Sequence, residues 1–334
     1  MPTNPWRSRG VCCFAPSARW RRAERPPTSC ATLYRTGWSI FASTKQSFPR
    51  LRSGVPSGRR TLHRADRTAR IRRADRRDST GSGLMAIASP EQFEDQMARL
   101  IWETRWKEHN SFDVWLQTHM CREGAAVFAL EHTVFADEFP RWFGSIIGNC
   151  PALDVRQYMI ENMYVEEVTD PTIDTGHYES MVDFSVALGF ERDYVYGYKG
   201  RPYTKMALAY WERASRAWPW LEAFAAVAGL EAARGPAVAK LGNIASLNRK
   251  VWEPLGLPDE ALSHWSAGEK ADFPEGGHGD MTLKILAKYA DDAPTQEKVL
   301  DLLRETMQIR WFHFDQIGRD ALVASGVDPA SVGR

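Results

Sequence analysis

Hydrophobic residues recur three or four positions apart over most of the chain from residue 89 onward, which is the spacing of amphipathic helices. The alternation of apolar and polar residues that marks a half-buried strand is almost absent. We therefore predict a single all-α domain of about ten helices. The predicted helices cover residues 90–109, 111–121, 124–147, 154–167, 177–188, 203–217, 219–233, 236–251, 259–265, 280–290 and 294–325.

The ends of several predicted helices carry recognisable signals. Ser89 before Pro90 is a typical N-cap followed by a proline at the first helical position. Gly189 stands where a C-cap glycine would end the fifth predicted helix. Pro140 should kink the third predicted helix, because its ring removes one backbone hydrogen bond. We expect the tyrosine-rich residues 194–198 to form a loop.

Residues 1–84 differ from the rest of the chain, with 18 arginines and 1 lysine against only 4 acidic residues. They show no sustained helical or strand period, so we predict a disordered basic segment followed by a helical domain over 85–334. Three interpretations stay open. The segment is an organellar transit sequence, it lies upstream of a natural start at Met85, or it binds nucleic acid through counterion release.

The composition of residues 85–334 excludes several classes of protein. They hold 24 basic and 38 acidic residues, without the basic stripe and interleaved aromatic residues of a nucleic-acid-binding surface. No apolar run approaches the roughly 18 residues of a membrane span. Cys121 and Cys150 are their only cysteines, which argues against a disulfide framework and favours a reducing compartment. We expect a cytoplasmic protein without nucleic-acid or membrane partners.

The first candidate for chemistry is a pair of acidic residues at the end of the fourth predicted helix. With about 100° of rotation per residue, Glu166 falls on the side of the helix that carries Met159, while Glu167 turns away. An inward carboxylate is costly unless it is paired or bound to a metal. His177 then opens the next helix. The plainer alternative is a pair of surface acids followed by a capping histidine.

Two further candidates lie downstream. Glu231 ends a run of apolar and small residues, which places it at the edge of a buried face or, alternatively, at the surface. Asp272, Glu275, His278 and Asp280 form a cluster of ligand-type residues around a proline- and glycine-rich break. The cluster could equally be a polar turn. Oxygen and nitrogen side chains from separate helices, facing one core, are what an iron or manganese site in a helical bundle needs.

The order of these residues resembles that of the haem-oxygenase-like di-iron oxidases and the related PqqC/TENA group. The resemblance spans about residues 90–320. The matching positions are Phe139-Pro140, Glu161-Asn162, Glu166, His177, Ala187-Leu188-Gly189, Glu231, Trp265, Ala271-Asp272 and His278-Gly279.

This resemblance implies a haem-oxygenase-like helical bundle, often dimeric, with a buried cavity for a metal and a small-molecule substrate. Five side chains match the metal ligands of the family: Glu166, His177, Glu231, Asp272 and His278. They would bind one or two Fe(II) ions, with O₂ as co-substrate. Glu231 and Tyr178 are the candidate catalytic residues, and Tyr178 or Tyr196 could line the pocket.

The chain departs from the family pattern at two positions. Gly268 stands where the family has a histidine four residues before Asp272, and Glu275 stands where it has its last histidine. His264, one helical turn before Gly268, could substitute for the missing ligand, although the resemblance does not favour it. These departures weaken the expectation of a second metal.

The sequence therefore predicts an iron-dependent, O₂-using oxidase of a small organic metabolite, such as an amino-acid-like or acyl compound. Two alternatives remain. One is a cofactor-free enzyme of the PqqC/TENA type, using acid–base residues in the same cavity. The other is a metal-free helical binding protein with a decayed site.

Overall fold

The computed structural model describes residues 87–242, 248–272 and 275–332, the side chains of residues 271 and 272 excepted. No strand occurs in these ranges, where an isolated antiparallel bridge joins Asp170 and Thr175. The predicted all-α class is confirmed. The predicted disordered segment over 1–84 and its boundary with the helical domain lie outside the described residues.

The described helices run in close succession. Their bounds are α1 Pro90–Ile101, α2 Ser111–Thr118, α3 Arg122–Ile147, α4 Leu153–Glu167, α5 His177–Ala187, α6 Arg192–Gly197, α7 Pro202–Ala217, α8 Trp220–Ala232, α9 Pro236–Ala239, α10 Arg249–Trp252, α11 Ser263–Asp272, α12 His278–Tyr289 and α13 Ala293–Ala324. A π-helical turn, Trp102–Trp106, extends α1, and short 3₁₀ turns precede α11.

Two long helices organise the bundle around α8. Helix α13 packs along α2, α3 and α8, and α3 also packs against α4, α5 and α7. Residues 223–232 of α8 are buried on every side, which the small side chains of this segment permit. Gly229 is one place where a larger residue would not fit, because a Cβ atom there would lie 2.6 Å from Cδ2 of Leu303. The sequence of α8 thus places its last acidic residue inside the bundle.

The predicted signals at helix ends are confirmed at two positions. The Ser89 hydroxyl accepts a hydrogen bond from the Gln92 amide at 3.3 Å, and the Gln92 side chain accepts one from the Ser89 amide at 3.0 Å. This capping box satisfies two backbone donors at the start of α1. Gly189 has a φ of 110°, in the left-handed region that glycine tolerates best. Helix α3 runs through Pro140 as one element.

Three predicted elements differ in the structure. The helix predicted over 236–251 is wrong, since α9 ends at Ala239. Gly242, three residues after the end of α9, lies against the Trp102 ring and leaves no room there for a side chain. The loop predicted over 194–198 is helix α6 through Gly197, which Val195 anchors in a small apolar cluster. The helix predicted over 259–265 begins as a 3₁₀ turn and continues to Asp272.

The π-helical turn after α1 places the Arg105 side chain in the interior. Its hydrogen bond joins the Lys107 amide to the Trp102 carbonyl at 2.9 Å, one residue further than in an α-helix. Arg105 and Trp106 are both buried, and the Trp106 indole donates to the Ala233 carbonyl at 2.8 Å. This turn therefore joins the end of α1 to the end of α8.

Among the described residues, no helix is both long enough and apolar enough to cross a membrane.

Candidate active site

A cavity of about 70 Å³ lies between α3, α8 and α13, closed by the end of α4 and the starts of α5 and α11. By volume it holds several water molecules or a small ligand. Its lining combines aromatic, basic and acidic side chains: Arg105, Trp106, His132, Phe135, Ala136, Phe139, Glu166, His177, Leu230, Glu231, Ala233, Arg234, His264, Arg310 and Phe314.

One end of the cavity is a histidine held between two carboxylates. Nδ1 of His177 lies 3.0 Å from Oε1 of Glu166, and Nε2 lies 2.9 Å from Oδ2 of Asp170. All three side chains are buried. The hydrogen bond from His177 lowers the pKa of Asp170, against the opposing effect of burial, with the Thr172 amide contributing further. Asp170 is therefore ionised at neutral pH and holds the imidazole in one orientation.

A tight turn between α4 and α5 produces this arrangement. The bridge between Asp170 and Thr175 closes the turn, and Gly176 then packs directly on the end of α4. A Cβ atom at Gly176 would lie 2.7 Å from the Glu166 carbonyl oxygen, so a side chain there would push the two helices apart. The glycine allows His177 to start α5 beside Glu166.

Two other histidines extend this end of the cavity. Nδ1 of His264 lies 3.0 Å from the Ser180 hydroxyl and 3.3 Å from the His177 carbonyl, so Nε2 is the nitrogen directed elsewhere. The His264 ring meets the rings of His177 and His132 edge to face, at centroid distances of 6.0 and 5.8 Å. Three imidazoles from α3, α5 and α11 are thus grouped along the wall.

His132 is held by aromatic stacking. Its ring stacks on Phe128 at 5.0 Å and on Phe135 at 5.5 Å, and Nδ1 has no hydrogen-bond partner among the described residues. Burial lowers the pKa of His132 well below its usual value, and the nearby Arg310 lowers it further. The imidazole is neutral at physiological pH, so Nδ1 can act as an acceptor or a donor toward a bound molecule, depending on the tautomer.

The other end of the cavity is cationic. At Gly268 a Cβ atom would lie 2.5 Å from Nη2 of Arg234, so the arginine fills the space that a side chain at 268 would need. Arg310 stacks its guanidinium over Phe135 at 3.8 Å and over Phe314 at 4.5 Å. Arg105 approaches the Phe314 ring as well, at 4.9 Å.

Charge accumulates at this end. Burial lowers the pKa of Arg310. The positive charges of Arg105 and Arg234 lower this pKa further, and the carboxylate of Glu231 opposes the shift. An arginine nevertheless stays protonated at neutral pH, given its very high intrinsic pKa. His313 supports Arg310 from behind: its Nδ1 lies 3.3 Å from Nη1 of Arg310. Burial keeps the pKa of His313 well below normal, so this nitrogen accepts the hydrogen bond.

The structure brings three of the predicted site residues together. Glu166, His177 and Glu231 all line the cavity. Glu166 points inward while Glu167 is exposed, as the helical phase predicts. Glu231 is 9% exposed and comes from the buried helix α8, which excludes the surface alternative. His264 also lines the cavity, although the family pattern gave it little weight.

Other predicted site residues lie elsewhere. His278 begins α12 and is not among the residues that line the cavity; the Tyr158 hydroxyl donates to its backbone carbonyl at 3.0 Å. Tyr178 does not line the cavity, since α5 presents it to the apolar cluster around Val182. Tyr196 is exposed and bonds to Glu179.

Glu275 is exposed too, with Lys240 as an ion-pair partner at 3.4 Å, and does not take the place of the family's last histidine. The side chain of Asp272 lies outside the described residues, so its predicted role as a ligand stays a prediction. Asp280 bonds to Lys284 on α12 at 2.7 Å.

Sequence reasoning missed His132, Asp170 and the three arginines. The available signal was the position of charged or polar residues inside apolar stretches, as for His132 in α3 and Arg310 in α13. Asp170 lies in a turn, and the burial of Arg105 depends on the π-helical turn. Helical periodicity says nothing about either.

The predicted metal ligands that line the cavity are Glu166, His177 and Glu231. The close pair formed by Glu166 and His177, with Asp170 on the far side of the ring, is the carboxylate–histidine arrangement seen around protein-bound metals. At Gly268, by contrast, a guanidinium replaces the histidine of the family. Within the described ranges, no group of three or more His, Cys, Asp or Glu side chains is arranged to hold a metal.

Comparison with known proteins identifies distant relatives. No family model matches the chain. A 4-aminobenzoate synthase from Chlamydia muridarum is 23% identical over 222 residues, 65% of this chain and 86% of the relative. A 4-aminobenzoate synthase from Chlamydia trachomatis is 23% identical over 218 residues, 65% of this chain and 87% of the relative.

Two solved structures share the architecture. A domain of unknown function with a haem-oxygenase-like fold from Shewanella denitrificans has a TM-score of 0.54 and 13% identity, covering 74% of this chain and all of its own. A CADD-like protein of unknown function from Nostoc punctiforme has a TM-score of 0.52 and 15% identity, covering 73% of this chain and 98% of its own. The fold that the sequence resemblance implied is confirmed: this chain has the haem-oxygenase-like helical fold.

Proposed function

We propose that the protein is a non-haem, iron-dependent, O₂-using oxidase that acts on a small organic metabolite in this cavity. The observation that carries the proposal is the buried pair of Glu166 and His177, with Asp170 as a third group behind the imidazole. The two relatives named as 4-aminobenzoate synthases support an enzymatic role.

Glu166 and His177 would hold the iron, with Glu231 and Asp272 as candidates for the remaining protein ligands. Nε2–H of His177 would donate to Asp170, which would fix the tautomer and the ring orientation and leave Nδ1 as the nitrogen that could hold the metal. Bound iron would supply the one-electron chemistry that O₂ activation requires. The guanidinium of Arg234 beside Gly268 would repel a second cation there, so we expect one iron per chain.

The remaining residues provide a dry, oriented environment. Phe135, Phe139, Trp106 and Phe314 supply aromatic parts of the cavity lining. His132 is neutral and offers Nδ1 as the group that can hold or transfer a proton next to the bound substrate. His264 is fixed by Ser180, so its ring keeps one orientation relative to His177.

The second candidate is a cofactor-free enzyme in the same cavity. The observation that favours it is the position of Arg234 beside Gly268, because a guanidinium occupies what the family uses as a metal-ligand position. In this case Glu231 and His132 would act as the acid–base pair, with the substrate charge balanced by the arginines.

The deciding experiment measures iron in the full chain. The protein is loaded with Fe(II) under nitrogen, freed of excess metal, assayed for iron, and then exposed to O₂ while its absorbance is followed. We expect about one iron per chain and a transient visible absorption band that is absent from both His177→Ala and Glu231→Ala. The matched control is His278→Ala, which changes a histidine outside the cavity.

An iron content that is negligible, or equal in the wild type and in His177→Ala, would reject the oxidase. If the metal-free protein converts a substrate, and the conversion is lost when Glu231 or His132 is replaced, the cofactor-free enzyme would be established instead.

A further inference from the structure

We propose that a second copy of this chain packs against the outer side of α4, so that two α4 helices pair antiparallel about a twofold axis near residue 162. The proposal concerns assembly and is independent of the proposed function. It rests on the distribution of apolar and charged side chains around this one helix.

Helix α4 is apolar on two opposite sides. Val155 and Met159 face the interior and are fully buried. On the opposite side Leu153, Ile160 and Tyr164 are 60%, 56% and 52% exposed. With about 100° of rotation per residue, these three side chains lie within about 40° of one another. A helix that carries apolar residues on all sides is normally buried all round, so the outer side of α4 is suited to burial against another surface.

The apolar residues on the outer side form a continuous stripe. Val168, the C-cap residue of α4, is 58% exposed and lies four residues after Tyr164. Leu153, Ile160, Tyr164 and Val168 are therefore seven, four and four residues apart, which is the spacing of one helical face. Large apolar side chains that are exposed singly are ordinary on a protein surface, whereas a contiguous patch of them marks an interaction site.

The order of residues along this outer stripe makes it complementary to itself. In an antiparallel pair with the twofold axis near residue 162, Ile160 of one copy lies beside Tyr164 of the other, and the reverse contact follows by symmetry. Such a contact uses the same patch on both copies and closes after two subunits. The centre of the interface is thus apolar on both sides.

Two charged residues beside the stripe favour the antiparallel over the parallel pairing. Arg156 lies six residues before the axis and Glu167 five residues after it, on the same edge of the stripe. Glu167 is exposed, and Arg156 is half-buried with Nη1 donating to the Cys150 carbonyl at 2.7 Å. The antiparallel pairing places Arg156 of each copy near Glu167 of the other. A parallel pairing would instead bring like charges together, which repel each other.

The size of the stripe indicates a reversible dimer. Helix α4 has 15 residues and extends about 22 Å. A standard interface buries about 800 Å² on each partner, of which one helix face provides a part. The exposed residues Pro171 and Thr172 of the following turn extend the contact, since they come opposite Leu153 of the other copy. We therefore expect the two copies to dissociate at micromolar concentration.

The test is sedimentation velocity of the full chain over a range of micromolar concentrations. We expect a monomer–dimer equilibrium for the wild type. Ile160→Glu and Tyr164→Glu should each weaken dimerisation by about tenfold or more, because each buries an unpaired charge at the centre of the interface twice per dimer. The matched control is Met206→Glu, which changes a methionine of α7 that is 70% exposed and should dimerise like the wild type.

An exchange of charges tests the antiparallel pairing. Arg156→Glu and Glu167→Arg should each weaken dimerisation, because each brings two like charges together across the interface. The double variant restores opposite charges and should regain most of the wild-type affinity. Both exchanges also suit the dipole of α4, with the acid nearer its start and the base at its end, so the helix should stay folded. Thermal unfolding verifies that each variant is folded.

A wild type that stays monomeric throughout the concentration range would overturn the proposal. A dimer that Ile160→Glu and Tyr164→Glu leave unchanged, or one that Met206→Glu weakens equally, would also overturn it, since the interface would then lie elsewhere. Failure of the double exchange to regain affinity would reject the antiparallel pairing. If the glutamate variants at 160 and 164 do not fold, the charge exchanges at the edge of the stripe decide the question.

Discussion

The end of the cavity at Glu166 and the end at Gly268 bury charge in different ways. At the first, both ring nitrogens of His177 are bonded to carboxylates, so the buried polar groups pair with one another. At the second, three arginines gather around Phe314 and a glycine, supported by aromatic faces and by His313.

Because of this difference, the two ends of the cavity present different chemical groups. The Glu166 end groups a histidine with carboxylates, and the Gly268 end groups arginines with aromatic rings. The positive charge at the Gly268 end depends partly on Arg234, whose guanidinium fills the space beside Gly268. A shared fold therefore does not imply a shared chemistry of the site.

The largest expected effect comes from removing the ligand at the Glu166 end. In His177→Ala, iron affinity should fall by more than about a hundredfold, since loss of a direct ligand exceeds the effect of an outer group. Titration of Fe(II) under nitrogen into wild type and variant measures this. His278→Ala is the control, and an equal loss in that variant would show that the metal lies elsewhere.

A smaller effect is expected behind the imidazole. Asp170→Asn keeps the size of the side chain but removes the charge that orients His177, which should weaken iron binding by about 10- to 100-fold. The same titration measures it, with the exposed Asp174→Asn of the same turn as control. Wild-type affinity in Asp170→Asn would mean that the orientation of His177 depends on Glu166 alone.

The role of Gly268 can be tested by introducing the histidine that the resemblance places at this position. Gly268→His should destabilise the protein by about 1–3 kcal/mol, because the new side chain competes with Arg234 for the same space. Combination with Arg234→Ala should recover part of that loss, a coupling that a double-mutant cycle of urea unfolding measures. Strict additivity of the two changes would show that they do not share a space.

The smallest effect is a pH dependence confined to the Glu166 end. The folded-state pKa of Asp170 is lowered by His177, so its stabilising contribution is present above the unfolded value near about 3.9 and is lost as pH falls through the folded value. In metal-free protein the difference in unfolding midpoint between wild type and Asp170→Asn should shrink at acid pH. A constant difference would contradict this, and Asp174→Asn should show none.

The sequence predicted the helical class and most helix bounds because the apolar period is strong and the caps are local. It predicted Glu166 from the phase of α4 and Glu231 from the small residues of α8, both of which depend on one helix at a time. Helical periodicity could not show that His278 lies outside the cavity lining, because the position of α12 depends on its packing against α8 and α1. The grouping of the arginines could not be predicted, since they come from the π-helical turn after α1, the residues that follow α8, and α13.

The π-helical turn at Trp102–Trp106 has a consequence for how this chain evolves and is aligned. Such a turn holds one residue more than an α-helical turn, and each residue of an α-helix rotates the chain by about 100°. Deleting one residue between 102 and 106 would restore an α-helix and swing Arg105 away from Phe314. A homologue with a one-residue gap here should therefore lack the contact between Arg105 and the Phe314 ring, even if it keeps an arginine nearby.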